Sequence, residues 1–430
     1  MTVPGLILAA AGGGSSGFGG GGGGGGGGFS GGGGGGSGVY IGGGAVSGWI
    51  VFMCLGLFLA FVLFAIVSTW LTVRRLRRRL DERDVQVRTA AAEAAEDDEA
   101  FAADRVTQDV TVMFHAIQGA WDARDETALG TLVGNDLLVE WHRRLNDFAR
   151  QGWHNRVRVI TGPEVRYVGL TNRERDEEDR IVVHICASLE DYVEGPGGMR
   201  VMHAGTSTTT TELREYWTLA KRDRRWILMS IEQDAEGSHQ LDAPLVASPW
   251  ADTRVADEAL VEGAVADAAL PGVATAELVD VDLASDARVQ ALDLSLADAR
   301  FGPDVLAAAA RRAAEAWSDA VDGEDAPLLE VATPAAVDAL LYGGDASHDS
   351  RLVVRGPRID GVTIEHLEAA PEPAHMTLSV HVRGRRYVED RDTAAVLSGS
   401  RDRETAFTER WTMALDGTDA TPWRLVGVAD

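Results

Sequence analysis

Residues 213–219 read Leu-Arg-Glu-Tyr-Trp-Thr-Leu, and residues 407–413 read Phe-Thr-Glu-Arg-Trp-Thr-Met. In a strand, every second side chain points to the same face. Leu213, Glu215, Trp217 and Leu219 therefore share one face, as do Phe407, Glu409, Trp411 and Met413. Both stretches place one glutamate among large apolar neighbours. The likeness extends outward in both directions. Around the first lie Ala120-Trp121, Gly162-Pro163, Tyr192-Val193-Glu194 and Trp226; around the second lie Ala316-Trp317, Gly356-Pro357, Tyr387-Val388-Glu389 and Trp423. The order is the same, so the chain reads as two copies of one packing unit. Repetition of Trp, Gly-Pro and apolar strand positions predicts an architecture more than a chemistry.

Within the first unit, Val106, Val110, Met113, Phe114, Ile117 and Trp121 fall at helical spacing and define one apolar face. A second helix is expected over 137–148, with Leu138, Trp141, Leu145 and Phe148 facing inward. The period then changes to two. Residues 157–160, 164–170, 180–192, 199–219 and 225–231 read as strands of one curved antiparallel sheet, with the charged stretch 172–179 as a solvated loop. The second unit repeats this with helices over 303–321 and 334–341, then strands to Val428. Helices followed by a meander make each unit α+β.

The opening Phe101…Val106…Met113-Phe114…Ile117-Gln118-x-Ala120-Trp121-x-x-x-Asp125…Leu129, followed by Gly152…Asn155-x-Val157, resembles the Tim44-like domain. That family comprises the C-terminal domain of the mitochondrial inner-membrane translocase tether and bacterial membrane proteins, with a fold like nuclear transport factor two. The resemblance covers 101–233 well and 301–430 more weakly, because the second unit keeps Ala316-Trp317 but lacks the Gly-x-x-Asn step. It implies a helix-lined cone with an apolar pocket, membrane association and a scaffold role toward other proteins.

Residues 49–70, WIVFMCLGLFLAFVLFAIVSTW, carry no charge. At about 1.5 Å per residue they cover a hydrocarbon core of about 30 Å, with a Trp at each interface. Arg74, Arg75, Arg77, Arg78 and Arg79 follow at once, whereas no charged side chain precedes Trp49. The positive-inside rule then places the C-terminal bulk in the cytoplasm and the N-terminus outside the cell membrane. The five arginines are also candidates for anionic lipid head groups. Ahead of this segment lies a nearly pure glycine tract, expected to be disordered because glycine has nothing to bury and most entropy to lose. The organisation expected is a tail over 1–48, a transmembrane helix over 49–73, a basic-to-acidic helix over 74–104, a first domain over 105–234, an acidic linker over 235–287 with a short helix near 257–270, and a second domain over 288–430: two tandem cone-like α+β domains behind one membrane span.

The net charge of −26 argues against nucleic acid as a partner, since phosphates would be repelled. Cys54 in the apolar segment and Cys186 in a strand cannot meet in a disulfide. Folds of this class also host enzymes such as ketosteroid isomerase, which need a pocket carboxylate or histidine. Glu215, Trp217, Tyr192 and His184, with Glu409, Trp411 and Tyr387 in the second unit, are the candidate pocket residues. Asp191 would complete an acid–base set with His184 and Tyr192, yet their counterparts are Ser379, Arg386 and Tyr387, so only the tyrosine recurs. A carboxylate among apolar side chains would have a raised pKa unless a donor satisfied it. No metal-ligand spacing, cofactor motif or catalytic signature is present in the sequence. The expectation is a non-enzymatic membrane scaffold for an unidentified protein partner. The alternative is a tethered binder of a lipid or other apolar ligand, and less favoured still is an enzyme acting through Glu215.

Overall fold

The computed structural model describes Ala11 and residues 48–203, 207–234, 236–249, 281–370, 372–418 and 421–429. Two compact units emerge, one of residues 20–85 and one comprising 1–19 and 86–430. The expected disordered tail lies outside the described residues, apart from Gly48 and Ala11. Ala11 is buried, and its N–H donates to Gln118 Oε1 at 3.2 Å. The apolar stretch falls in one continuous helix, α1 (Gly48–Asp97). Most of the stretch's side chains lie outside the described residues, and among the described residues no helix is long and apolar enough to cross a membrane.

The first domain begins earlier than its sequence suggests. The last turns of α1 bury Val87, Ala91 and Ala94 in the core, so the domain opens near residue 87 and not at 105. A 3₁₀ turn (Glu99–Phe101) follows, capped by Asp98, whose side chain accepts from the Ala100 N–H. Then come α2 (Ala103–Ala123), α3 (Glu126–Gly130) and α4 (Asn135–Arg150). Helix α2 buries Val106, Val110, Met113, Phe114, Ile117 and Trp121, the predicted face; α4 buries Leu137, Trp141, Leu145 and Phe148, with Leu138 only partly covered. The sheet has the order β1 (His154–Thr171), β2 (Arg180–Glu194), β4 (Thr210–Arg222), β5 (Arg225–Gln233), with the short β3 (Arg200–Val201) on β2.

The two strands expected around Gly162-Pro163 are one bent strand. The pairing with β2 slips between Thr161 and Glu164, and Gly162 sits at φ +92 with room for no Cβ, since one would approach Cys186 O to 3.0 Å. The single strand expected over 199–219 is broken instead, because His203 turns inward to meet Asp191. The ends of the charged loop are not solvated either. Asn172 and Asp179 are buried, and Asp179 and Asp98 both pair with Lys221, the chain's only lysine. The acidic end of the juxtamembrane segment is thus partly structural.

The second domain opens with an added strand, β6 (Val281–Leu283), and from there follows the same element order: α5 (Ser285–Ser295), a 3₁₀ turn (Ala299–Phe301), α6 (Pro303–Asp322), α7 (Ala326–Val331), α8 (Pro334–Tyr342), β7 (Ser350–Glu368), β8 (His375–Asp390), β9 (Val396–Gly399), β10 (Thr405–Ala414) and β11 (Arg424–Val428). Its sheet runs β11-β10-β8-β7-β6, with β9 on β8. The details repeat as well. Asp298 caps its turn as Asp98 does. Trp226 Nε1 donates to Ala100 O at 3.1 Å, and Trp423 Nε1 to Arg300 O at 2.9 Å. Phe101 meets Trp226 edge-on at 5.3 Å, and Phe301 meets Trp423 at 5.6 Å. Helix α5 stands where the last turns of α1 stand, with Ala287 and Ala291 inward.

The expected linker is folded at both ends. Residues Gly237–Leu241 form a 3₁₀ helix, Val246 bridges Thr171, and β6 pairs in parallel with β7. The short helix expected near 257–270 lies outside the described residues.

Candidate functional site

Strand β4 lies between β2 and β5, so its inward side chains meet α2 from below. Glu215 and Trp217 point to that face, as the alternation requires. Glu215 is 3% exposed, and both of its oxygens are engaged: Trp217 Nε1 donates to Oε2 at 2.9 Å and Gln233 Nε2 donates to Oε1 at 3.1 Å. Burial pushes its carboxyl up to about 7, with the two N–H donors working the other way. Trp217 packs on Phe114 of α2 at 5.4 Å. The cavity beside Glu215 has a volume of about 80 Å³ and a border rich in charge, including Glu140, Arg144, Arg351 and Arg355. Such a space holds a few waters. Its charged border is unlike the apolar pocket that the resemblance implied.

The other predicted residues do not assemble around Glu215. His184 pairs across the strands with Tyr216, so it lies on the opposite face of the sheet. There its Nε2 meets Asp234 Oδ1 at 3.0 Å and its ring packs on Tyr216 at 4.7 Å. Burial opposes its charged form, but Asp234 and Cys186 outweigh that and hold the imidazole up at about 9. Tyr192 is on that face too, under the Arg200 guanidinium at 4.6 Å. Asp191 is on the inner face and belongs to a different network. Trp121 Nε1 donates to Asn155 Oδ1 at 2.7 Å, Asn155 Nδ2 donates to Asp191 Oδ1 at 2.7 Å, and His203 Nε2 meets Asp191 Oδ2 at 3.1 Å. The acid–base set of His184, Asp191 and Tyr192 is therefore split between faces, because residues of unlike parity on one strand point apart.

In the second domain Glu409 is only partly covered and has Arg386 at 3.8 Å. Burial raises its pKa and Arg386 opposes the rise. Trp411 is fully buried, but its Nε1 has no acceptor among the described residues, and neither has Trp317 Nε1. Tyr387 is buried beneath the Arg401 guanidinium at 5.1 Å, and burial raises its pKa. Of Arg74, Arg75, Arg77, Arg78 and Arg79, those described lie on an exposed part of α1.

Sequence reasoning missed the joint between the domains. Asp322 at the end of α6, Arg355 on β7, Glu232 on β5 and His239 from the supposed linker converge there. Arg355 Nη1 donates to Asp322 Oδ1 at 2.8 Å and to Ser230 Oγ at 3.0 Å. The His239 ring lies between two carboxylates, with Nδ1 3.5 Å from Glu232 and Nε2 3.5 Å from Asp322. Although burial disfavours the charged ring, Glu232 and Asp322 raise it to about 9; although burial favours a protonated Asp322, His239 and Arg355 hold that carboxyl at about 2. Around this cluster Arg143 pairs with Asp392 at 2.7 Å, Arg150 with Asp392 at 2.8 Å and Arg144 with Glu389 at 2.8 Å. Gly356 recurs at φ +59 because a Cβ there would strike the His239 ring at 2.6 Å. The only sequence signal was composition: four arginines and several acids at otherwise apolar strand and helix positions.

Among the described residues, two sets of side chains are close enough to suggest metal ligands, Glu232-His239-Asp322 and Asp98-Asp176-Asp179. In the first, the ring separates the carboxylates and Arg355 already supplies a positive charge. In the second, the Lys221 ammonium takes the place of a cation, 3.2 Å from Asp176 and from Asp179. Both are ion clusters of the fold. Burial pushes Asp179 up to about 6.

Helices laid on a curved antiparallel sheet, with a filled core around the buried Glu215, define an α+β module. Residues 87–233 match the family described as Tim44-like domain, and this part of the chain is a Tim44-like domain. The match begins where α1 enters the core and ends with β5, so the second domain lies outside it. No curated protein matches the chain. Among solved structures, the intermembrane space region of the chloroplast protein ARC6 is similar at 9% identity and TM-score 0.24, covering 30% of this chain and 95% of that one. An Ntf2-like protein involved in plasmid conjugation is similar at 8% identity and TM-score 0.17, covering 71% and 87%. At these scores neither likeness carries an argument.

Proposed function

We propose that this chain is a non-enzymatic, single-span membrane scaffold whose two α+β domains, joined into one body, present binding surfaces in the cytoplasm. The observation that carries the reading is the closure of Glu215. Where a pocket enzyme or lipid carrier of this fold class would hold its reactive or orienting group, both carboxylate oxygens are taken by Trp217 and Gln233, and the adjoining cavity of about 80 Å³ has a charged border. The Tim44-like match supports a scaffold role, and the absence of charge over 49–70 supports the span. Leu57, Phe61, Leu63 and Phe64 on α1 are each more than half exposed to solvent, which suits a lipid environment. The Arg74–Arg79 cluster would then sit at anionic head groups on the cytoplasmic side.

The test is topology together with extraction. Full-length chain tagged at either end should resist alkaline carbonate extraction, with the C-terminal tag digested only from the cytoplasmic side and the N-terminal tag only from outside. The Ala11–Gln118 contact stands against this topology, because it joins the tail to a domain placed on the other side of the membrane. An N-terminal tag cleaved on the cytoplasmic side would therefore sink the single-span topology. Solvent extraction of the purified chain should yield no stoichiometric lipid beyond the surrounding micelle; one lipid per chain, lost in Glu215→Leu, would sink the scaffold reading in favour of a ligand carrier.

A further inference from the structure

Helix α5 and the last turns of α1 occupy equivalent places, fixed by the Asp98 and Asp298 caps and by Phe101 and Phe301. Their inward faces agree: Val87 and Ala91 in one, Ala287 and Ala291 in the other, all buried. Their outward faces do not. The first presents Thr89, Ala92 and Glu96, whereas α5 presents Val289, Leu292 and its C-cap residue Leu296, still helical in backbone, exposed by 61%, 52% and 90%. The fold does not need apolar side chains there, since the equivalent helix stands without them.

We infer that this stripe is the seam of a parallel, two-fold contact between two copies of this chain. Val289, Leu292 and Leu296 have the spacing of consecutive a, d and a positions of a heptad. Arg288 and Asp293 then flank the seam at g and the following e, where a parallel partner helix places its own Asp293 against Arg288 and its own Arg288 against Asp293. Both residues are exposed. An antiparallel pairing would instead set like flanks together, bringing Asp286 and Asp293 of both copies onto one side. The acidic surroundings, Asp282, Asp286 and Asp293, also disfavour an anionic lipid surface as the occupant. Three side chains on an 11-residue helix and its C-cap bury well under the about 1,200 Å² of a stable interface, so the pairing is weak and concentration-dependent.

The test uses full-length chain in detergent micelles. In a Cys54→Ser, Cys186→Ser background, Leu292→Cys should form a disulfide-linked dimer on mild oxidation, and Gln290→Cys, off the seam, should not. By sedimentation equilibrium, Leu292→Glu should weaken dimerisation by about tenfold or more. Asp293→Arg should weaken it less, and Arg288→Asp combined with Asp293→Arg should restore it. Tryptophan emission checks that each variant is folded. A chain that stays monomeric at every concentration, equal crosslinking at 290 and 292, or a dimer indifferent to Leu292→Glu and to the charge swap would overturn the inference.

Discussion

The two domains share a frame and differ at one equivalent pair of buried indoles, Trp121 and Trp217 against Trp317 and Trp411, although Trp141 of the first domain also lacks an acceptor among the described residues. In the first, Trp121 donates to Asn155 and Trp217 donates to Glu215, and each acceptor is held in turn by a further polar group. In the second, Trp317 and Trp411 are equally buried and pack on each other at 5.5 Å, but neither Nε1 finds an acceptor. A buried, unmatched donor typically costs about 1–3 kcal/mol. The shared frame therefore tolerates the loss of its polar network, which marks the network as a device of the first domain and not a requirement of the architecture. This is also the part of the chain that the Tim44-like family match covers.

The sharpest way to break that comparison is Asp191→Ala, which strips partners from both Asn155 and His203. It should cost about 2–4 kcal/mol in urea unfolding. Arg386→Ala, at the corresponding exposed position, should cost no more than about 0.5 kcal/mol. Equal losses would remove the distinction between the domains. Next, Trp121→Phe should destabilise by about 1–2 kcal/mol more than Trp317→Phe, because only the first leaves an acceptor, Asn155 Oδ1, unmatched.

A pH dependence sharpens the contrast further. The folded-state pKa of Glu215, about 7, lies above its ordinary value, so the group favours the folded state at low pH. That contribution is complete below about 4.5 and is lost as pH rises through about 7. Glu215→Gln should therefore flatten the fall in the urea midpoint between these limits, while Glu409→Gln, beside a countercharge and partly solvated, should change it least. An unchanged slope in Glu215→Gln would show that another group governs it. His239 has the opposite chemistry but the same direction. Its raised pKa contributes stability below its ordinary value of about 6.5, and that is lost as pH rises through about 9. His239→Gln should abolish an alkaline loosening of the two domains, read as protease sensitivity of the segment joining them.

Much of the frame was legible in the sequence. The period of α2 and the alternation of β4 are local patterns, and each held where residues are described. The boundaries were less legible. Residues 86–97 read as a continuing polar helix because Ala91 and Ala94 give a weak apolar signal, yet small side chains let that helix lie close on the core. His203 broke a predicted strand through one contact with Asp191, and no period announces such a contact.

The candidate site divides in the same way. Sequence alone determined that Glu215 and Trp217 share a face and that Glu409 and Trp411 do likewise, because side-chain alternation is a property of the extended backbone. Tertiary structure alone decided what meets that face: Gln233 from the next strand closes Glu215, Arg386 only approaches Glu409, and His239 leaves its supposed linker to lock Glu232 to Asp322. These partners come from separate elements of the chain. Their meeting depends on how elements pack, and the charge each group carries depends on the burial and the neighbours that the packing supplies.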